Sequence, residues 1–405
     1  MSRPTFLIIA LGCKVSQYDA AVLKRSLLSS GFVFSSKNPD LVIINTCSVT
    51  KNAITKDRHT IKKMQASFPK AKLVVMGCWP QTDDQIEIDN VLLWGVGKLD
   101  RLQKKILALF PKIKKRPIVL ESGLIVPSDK SRYFLKVGDG CNQFCSYCII
   151  PHARGPIVSR PSAELKNEVA AAIKAGYQEI VLSGIHLGRY GNDLKDKSSL
   201  VSLLKELLTV PGLGRIRLSS IEINEVDDKL IDLMKNNEKI CQHLHISLQS
   251  GSDKILKLMK RPYNTDFFEK RVAKLRSAMP NIAISTDIIV GFPGESGEDF
   301  ADTCRFAESI AFSKIHVFAF SAHEKTPAYN LPDKVAYDKI KQRSKILREI
   351  STHLEKTYQA KTLKALAGSK IKVLLEKKGA AKTEFYFDIP FDKKAKVGSL
   401  QDIDI

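Results

Sequence analysis

Val137-Gly-Asp-Gly-Cys-Asn-Gln-Phe-Cys-Ser-Tyr-Cys-Ile-Ile-Pro151 is the stretch on which the fold turns. Cys141, Cys145 and Cys148 stand there at CxxxCxxC spacing, close enough for one tight loop to hold three corners of an iron–sulfur cube. Such clusters ordinarily take four Cys ligands. A fourth iron without a protein thiolate is an open coordination position, and open positions are where metal sites do chemistry. A zinc knuckle or buried structural thiols are the plainer alternatives. Zinc would need a fourth ligand close by, and His152 is only four residues on, but the cluster is the better reading.

At 405 residues the chain has room for two to four domains of about 100–200 residues each. Lys plus Arg number 64 against 43 acidic residues, a net charge of +21. That excess points to a polyanionic partner, and nucleic acid is the usual one; a generally basic, solvated surface is the bland alternative. Eight Cys invite comparison with a disulfide framework, but disulfide-dense folds are small and secreted, so a reduced cytoplasmic compartment is expected. The apolar run Phe6–Leu11 before Gly12-Cys13 imitates a lipoprotein signal, yet it is short and follows a single Arg. No stretch of about 20 apolar residues is present to span a membrane.

The first unit, residues 1–125, repeats one device. Short apolar strands lead into a Cys: Thr5–Ala10 before Cys13, Leu41–Ile44 before Cys47, Leu73–Met76 before Cys78. Residues 19–30 and 53–67 have helical apolar spacing. Strand–helix alternation predicts an open parallel sheet, whose ligands bind beyond the carboxyl ends of the strands. The three thiols should converge on one sheet edge as a second three-Cys cluster, although any one alone would more often be a core Cys. From Lys98 to Lys130 a basic helix and then a linker are expected, with a charge run at Lys112–Arg116 and breaks at Pro111, Pro117 and Pro127.

In residues 126–366 the pattern restarts. Strands are predicted at 133–137, 179–182, 215–218, 243–248, 282–290 and 314–320, which suggests a six-membered partial (β/α) barrel. Ser183, Gly184, Ser219–Glu222, Gln249–Gly251, Asp287 and Ser321 gather at strand ends, the chemical face of such barrels, though any single Ser could cap a helix. A basic amphipathic helix follows over about 334–366, stopped by Gly368. The last unit, 367–405, reads as short strands at Ile371–Leu375 and Phe385–Phe387, too small to bury much core alone. Cys241 and Cys304 fall in or beside core elements and read as structural.

These residues resemble the radical S-adenosylmethionine (SAM) methylthiotransferases. Leu11-Gly-Cys-Lys-Val-Ser-Gln-Tyr-Asp19, Asn45-Thr-Cys-Ser-Val-Thr50 and Gly77-Cys78 look like that family's three N-terminal Cys motifs. Cys141–Gly155 with Ser159-Arg-Pro161 looks like its SAM-cluster loop and arginine motif. The likeness continues through Leu182–Gly191, Leu218–Glu222, His245–Gly251 and Ser285–Glu295, nearly the whole chain to about residue 365. Gly-Cys-Lys-Val, Gly-Ile-His-Leu-Gly and Ser-Ser-Ile-Glu are closest to the branch acting on N6-threonylcarbamoyladenosine beside the tRNA anticodon.

The resemblance implies two [4Fe-4S] clusters and SAM. A cluster on Cys141, Cys145 and Cys148 would cleave SAM to a 5′-deoxyadenosyl radical, which takes hydrogen from C2 of the adenine. A methylthio group assembled at the Cys13, Cys47 and Cys78 cluster would then be transferred to that carbon. By position, Tyr147 and Ile149 would lie near the SAM adenine, and Ser183 and Gly184 near the methionine amino group. Glu222 would hydrogen-bond the ribose, and Gly291 with Glu295 would shape the adenine pocket; a turn at Gly291 and Gly294 after a buried strand is compatible with that role. Arg154 and Arg160 are candidates for tRNA phosphate contact; Arg154 could equally pair near SAM. The implied partners are the tRNA anticodon stem-loop, an electron donor such as flavodoxin or ferredoxin, and a sulfur source. Two departures stand out. Ser321-Ala-His-Glu-Lys-Thr326 lacks the family's usual Arg and Gly after the last barrel strand, and 367–405 resembles a shortened form of the RNA-binding TRAM barrel. The rival readings are action on isopentenyladenosine and a catalytically silent iron–sulfur RNA-binding protein.

Overall fold

The computed structural model describes residues 3–111, 131–391 and 395–405. The predicted charge run 112–116 and the breaks at 117 and 127 lie outside them.

The N-terminal sheet is parallel, with β1 (Thr5–Ala10), β2 (Val33–Phe34), β3 (Leu41–Thr46), β4 (Lys72–Gly77) and β5 (Val91–Trp94) in the order β2-β1-β3-β4-β5. Strands β2 and β5 were not foreseen. The two faces follow from the two-residue period of a strand. Phe6, Ile43, Val74 and Met76 pack with Leu23, Leu27, Leu102 and Ile106 on one side. Val42, Ile44 and Val75 pack with Ile61 and Trp79 on the other. Cys13, Cys47 and Cys78 therefore follow three adjacent strands, β1, β3 and β4, at the same edge. Gly77 closes the last of these at φ 109°, where a Cβ would sit 2.6 Å from the Thr46 carbonyl oxygen.

The second layer is a parallel arc: β6 (Tyr133–Lys136), β9 (Glu179–Ser183), β10 (Arg215–Leu218) with β11 (Ser220–Ile221), β12 (His243–Ile246), β13 (Ala283–Val290) and β14 (Lys314–Ala319). Only Ser219 separates β10 from β11, so the arc counts six, as predicted. A small antiparallel pair, β7 (Gly138–Asp139) with β8 (Val158–Ser159), flanks the cysteine loop. The arc's apolar core runs from Leu135 to Leu354.

The edge strands β6 and β14 leave the arc open on one side, and the N-terminal sheet closes over it. At β6, Lys136 Nζ lies 2.7 Å from Asp19, and the Tyr18 and Tyr133 hydroxyls both donate to Glu168. After β14, Ser321 Oγ accepts the Lys51 N–H at 2.9 Å, His323 Nε2 lies 3.0 Å from the Val49 oxygen, and Lys325 pairs with Asp84 at 2.5 Å. The stretch that departs from the family pattern is thus the second docking point.

The Tyr337–Ala365 helix leads to an antiparallel sheet, β15 (Lys370–Lys377), β16 (Gly379–Thr383), β17 (Asp388–Phe391) and β18 (Leu400–Asp404), ordered β17-β16-β15-β18. Phe385–Phe387, expected as a strand, is instead the turn between β16 and β17, with Tyr386 at φ 70°. Its two phenylalanines point inward with Ile371, Val373 and Ile389, covered by Tyr358 and Leu363 of the long helix. A 36-residue segment gains a core by sharing one. Among the described residues no helix is long and apolar enough to cross a membrane.

Candidate active site

The barrel cysteine loop is pinned at each residue. Cys141 N–H donates to the Gly155 oxygen at 2.9 Å, Cys148 N–H to the Cys145 oxygen at 3.0 Å, and Gln143 N–H to Cys141 Sγ at 3.4 Å. Ser146 ties the loop to the Leu258 and Met259 carbonyls. Gly140 begins it at φ 74°, where a Cβ would stand 1.8 Å from the Pro156 carbonyl oxygen. We expect Gly140→Ala to cost about 1–3 kcal/mol of backbone strain and to lower iron uptake. A melting temperature and iron content equal to wild type would show that this turn does not place Cys141.

Each thiol trio is gathered in one place. Cys148 feels the charges of Cys145 and Cys141, and Cys47 those of Cys78 and Cys13. Burial pushes Cys47 up to about 11 and Cys148 up to about 12. Burial also raises Cys78 and Cys145, opposed by Arg154 and Arg261 respectively. Thiols so disposed stay protonated until a cation displaces the proton. Among the described residues no three Cys, His, Asp or Glu converge on a point as ligands of a single metal ion would; thiols at the corners of a cluster stand further apart. Buried donors without partners also mark the N-terminal trio: Ser16 Oγ, Ser48 Oγ and Arg154 Nε. Such donors suit the sulfurs of a cluster.

Two residues that the sequence reading passed over flank the barrel trio. His186 Nδ1 lies 3.2 Å from Cys141 Sγ, and its Nε2 lies 2.7 Å from Glu225, which Arg189 also holds at 2.9 Å. Burial opposes the charged ring, but Cys141 and Glu225 overcome it and raise His186 to about 10. Arg261 donates to Cys145 Sγ at 3.3 Å and to the Tyr147 hydroxyl at 3.4 Å, and pairs with Glu222. His186 sits inside a quoted motif, so a signal for it existed; Arg261 had none.

A cavity of about 150 Å³ opens beside Cys148, lined by Val49 and Thr50 of the loop that follows Cys47 and by Tyr147, Cys148, Ile149, Gln249, Asp287 and Ser321 of the barrel unit. Tyr147 and Ile149, expected near the SAM adenine, are both among its walls. A wider depression of about 570 Å³ on the barrel's outer side is lined by charges already paired, such as Lys254 with Asp299, and is remote from the thiols. Ser183 is buried at the end of β9, beside Gly184, and its carbonyl accepts the Val137 N–H.

At three of the expected site positions the structure shows partners within the chain. Arg154 is no surface phosphate contact: its side chain is 1% exposed and its Nη1 donates to both Asp139 carboxylate oxygens at 2.9–3.0 Å. Arg160 is likewise committed, to Glu168 at 2.7 Å, the Tyr18 hydroxyl and the Lys136 carbonyl. Gly291 and Glu295 form a turn: Gly291 N–H donates to Glu295 Oε2 at 2.7 Å, and Arg343 of the long helix pairs with the same carboxylate. A Cβ on Gly291 would strike Ile340, so that turn faces the helix.

Residues 135–307 match the radical SAM superfamily, and residues 5–91 match the uncharacterized protein family UPF0004. Threonylcarbamoyladenosine tRNA methylthiotransferases of Chlamydia pneumoniae and Thermotoga maritima are each 38% identical to this chain, over 93% and 92% of it and 87% and 86% of their own lengths. A tRNA-2-methylthio-N(6)-dimethylallyladenosine synthase of Clostridium tetani is 30% identical over 90% of this chain and 85% of its own. Among solved structures, the radical SAM methyltransferase TsrM of Kitasatospora setae shares the fold, with a TM-score of 0.59 at 16% identity, covering 81% of this chain and 74% of that one. The chain therefore belongs to the radical SAM methylthiotransferases, in the branch named for threonylcarbamoyladenosine in tRNA.

Proposed function

We propose that this protein adds a methylthio group to C2 of N6-threonylcarbamoyladenosine next to the tRNA anticodon. The observation that carries the reading is the cavity held jointly by the residues after Cys47 and those around Cys148. A substrate atom placed there would touch Cys148 of one trio and the loop that carries Cys47 of the other. When bound, SAM and the clusters supply the radical that removes hydrogen and the sulfur and methyl that replace it.

The chain's own residues do the rest. Cys141, Cys145 and Cys148 hold one cluster, and Cys13, Cys47 and Cys78 the other. Tyr147, Ile149, Ser183, Gly184 and Glu222 position SAM, with Arg261 holding the Glu222 carboxylate. The chain works as three units, 1–125, 126–366 and 367–405, the first closing the open side of the second and so excluding water from the cavity. A net charge of +21 draws in the phosphate backbone, a salt-dependent attraction. With Arg154 and Arg160 committed inside, that attraction falls to exposed lysines and arginines. The target base leaves its stack to reach the cavity, which an unpaired loop makes easier. An electron donor such as flavodoxin or ferredoxin, a sulfur source and a cytoplasmic setting complete the reading.

Mass spectrometry of tRNA nucleosides from cells with and without the gene tests it. We expect 2-methylthio-N6-threonylcarbamoyladenosine to vanish and its precursor to accumulate. Loss of a methylthiolated isopentenyladenosine instead would move the substrate to the other branch, and no change in any nucleoside would sink the reading.

A further inference from the structure

Arg154 lies at the end of the short Ile150–Arg154 helix that follows Cys148, and this helix packs on the Cys78–Thr82 helix of the N-terminal sheet. It is thus carried by one cysteine loop and delivered to the other. Its Nη1 is held by Asp139 of β7 at 2.9 Å and by Asp19 of the N-terminal Lys14–Ser29 helix at 3.4 Å. Lys136 Nζ bridges the same two carboxylates at 2.6 and 2.7 Å. Two cations and two anions balance, so this network leaves no charge for an outside partner.

One donor is left over. Arg154 Nε–H is buried and has no acceptor among the described residues. A buried donor without a partner costs about 1–3 kcal/mol. Cys78 opens the very helix on which the Arg154 helix packs. Ser16 and Ser48, next to the same trio, hold hydroxyls in the same condition.

We propose that Arg154 is a positioning residue for the N-terminal cluster, donating its Nε–H to a sulfur of the group held by Cys13, Cys47 and Cys78 and thereby fixing that cluster against the SAM-cluster loop. This rests on the reading above that both trios hold clusters. A hydrogen bond to a cluster sulfur favours the more negative, reduced state and raises the potential, and removing Arg154 would also leave the two aspartates with Lys136 as their one remaining cation in this network. Asp139 and Asp19 anchor the guanidinium at its Nη1, as outer-shell partners orient metal ligands.

The test isolates the N-terminal cluster in full-length protein carrying Cys141→Ala, Cys145→Ala and Cys148→Ala. Potentiometric titration followed by electron paramagnetic resonance (EPR) should show a lower midpoint potential when Arg154→Gln is added, and a value between the two for Arg154→Lys. In the six-cysteine enzyme, Arg154→Gln should reduce methylthio product per 5′-deoxyadenosine released by about 10–100-fold. Should Arg154→Gln fail to fold, 15N-arginine labelling of the triple variant gives the same answer without it: the reduced cluster should show a 15N hyperfine coupling. An unchanged potential in a folded Arg154→Gln, or no such coupling, overturns the proposal. If the triple variant binds no iron at all, the two-cluster reading itself fails and takes this inference with it.

Discussion

Protein carrying Cys145→Ala is expected to release no 5′-deoxyadenosine from SAM under anaerobic reduction, whereas Cys47→Ala should still release it and yet transfer no methylthio group. The two outcomes separate because the trios sit on different scaffolds. Cys145 lies in a loop whose hydrogen bonds stay within the barrel unit, to Gly155, Leu258 and Met259. Cys47 follows β3, and its N–H donates to Asp57 of the Lys51–Ser67 helix at 2.8 Å. Neither substitution breaks the other's backbone contacts. Each loss should exceed the roughly 10–100-fold that follows from losing an outer-shell partner, since a ligand itself is gone. Quantifying 5′-deoxyadenosine and methylthiolated nucleoside in the same reaction decides it. If Cys47→Ala transferred normally, the N-terminal trio would not be the second site.

How much of this was legible beforehand depended on whether a residue's role was set by its neighbours in the chain or by its neighbours in space. The six cysteines were readable because a strand end or a tight loop places them whatever else the chain does. The arc of six strands was readable for the same reason, through period and spacing. Arg154 had two equal readings, phosphate contact or local pair, and Arg160 stood as a phosphate candidate, because an arginine in a motif does not announce its partners. Asp19, Asp139 and Glu168 come from separate elements, and no local pattern announces that they meet. Arg261 reaches Cys145 from 116 residues away, and only the closed arc brings them together. The stretch 321–326 stood out in the sequence only for lacking the family's usual Arg and Gly. Its contacts with Lys51, Val49 and Asp84 make it a joint between sheet and barrel. Departures from a family pattern at such a joint need not touch the chemistry.

Glu179→Ala should be the most destabilising single substitution outside the cysteine loops, at about 3–5 kcal/mol. Its carboxylate, fully buried in β9, accepts from Arg215 Nε at 2.6 Å and Arg217 Nε at 2.8 Å, with Arg132 at 3.8 Å. Those arginines then turn outward. Arg215 donates to the Lys372 and Lys382 carbonyls and Arg217 to those of Thr383 and Glu384, at 2.7–3.0 Å. One carboxylate therefore anchors the C-terminal sheet to the barrel through two guanidiniums, and removing it leaves both buried without a counter-charge. Limited proteolysis of Glu179→Ala should accordingly release residues 370–405 before it cuts the barrel. The pH response has a definite sign. Burial would raise the Glu179 carboxyl, but Arg217, then Arg215 and Arg132, bring it down to about 2, below the ordinary value near 4.3. A depressed folded value stabilises the protein above the unfolded pKa, and that contribution drains away as pH falls from about 4 toward 2. Glu179→Gln, which keeps the shape and loses the charge, should flatten this acid limb in urea midpoints measured across that range. If the limb kept its wild-type slope, or if Glu179→Ala cost less than about 1 kcal/mol, the anchor would lie elsewhere, and the apolar seam between Tyr358, Leu363 and the two phenylalanines would be what holds the sheet.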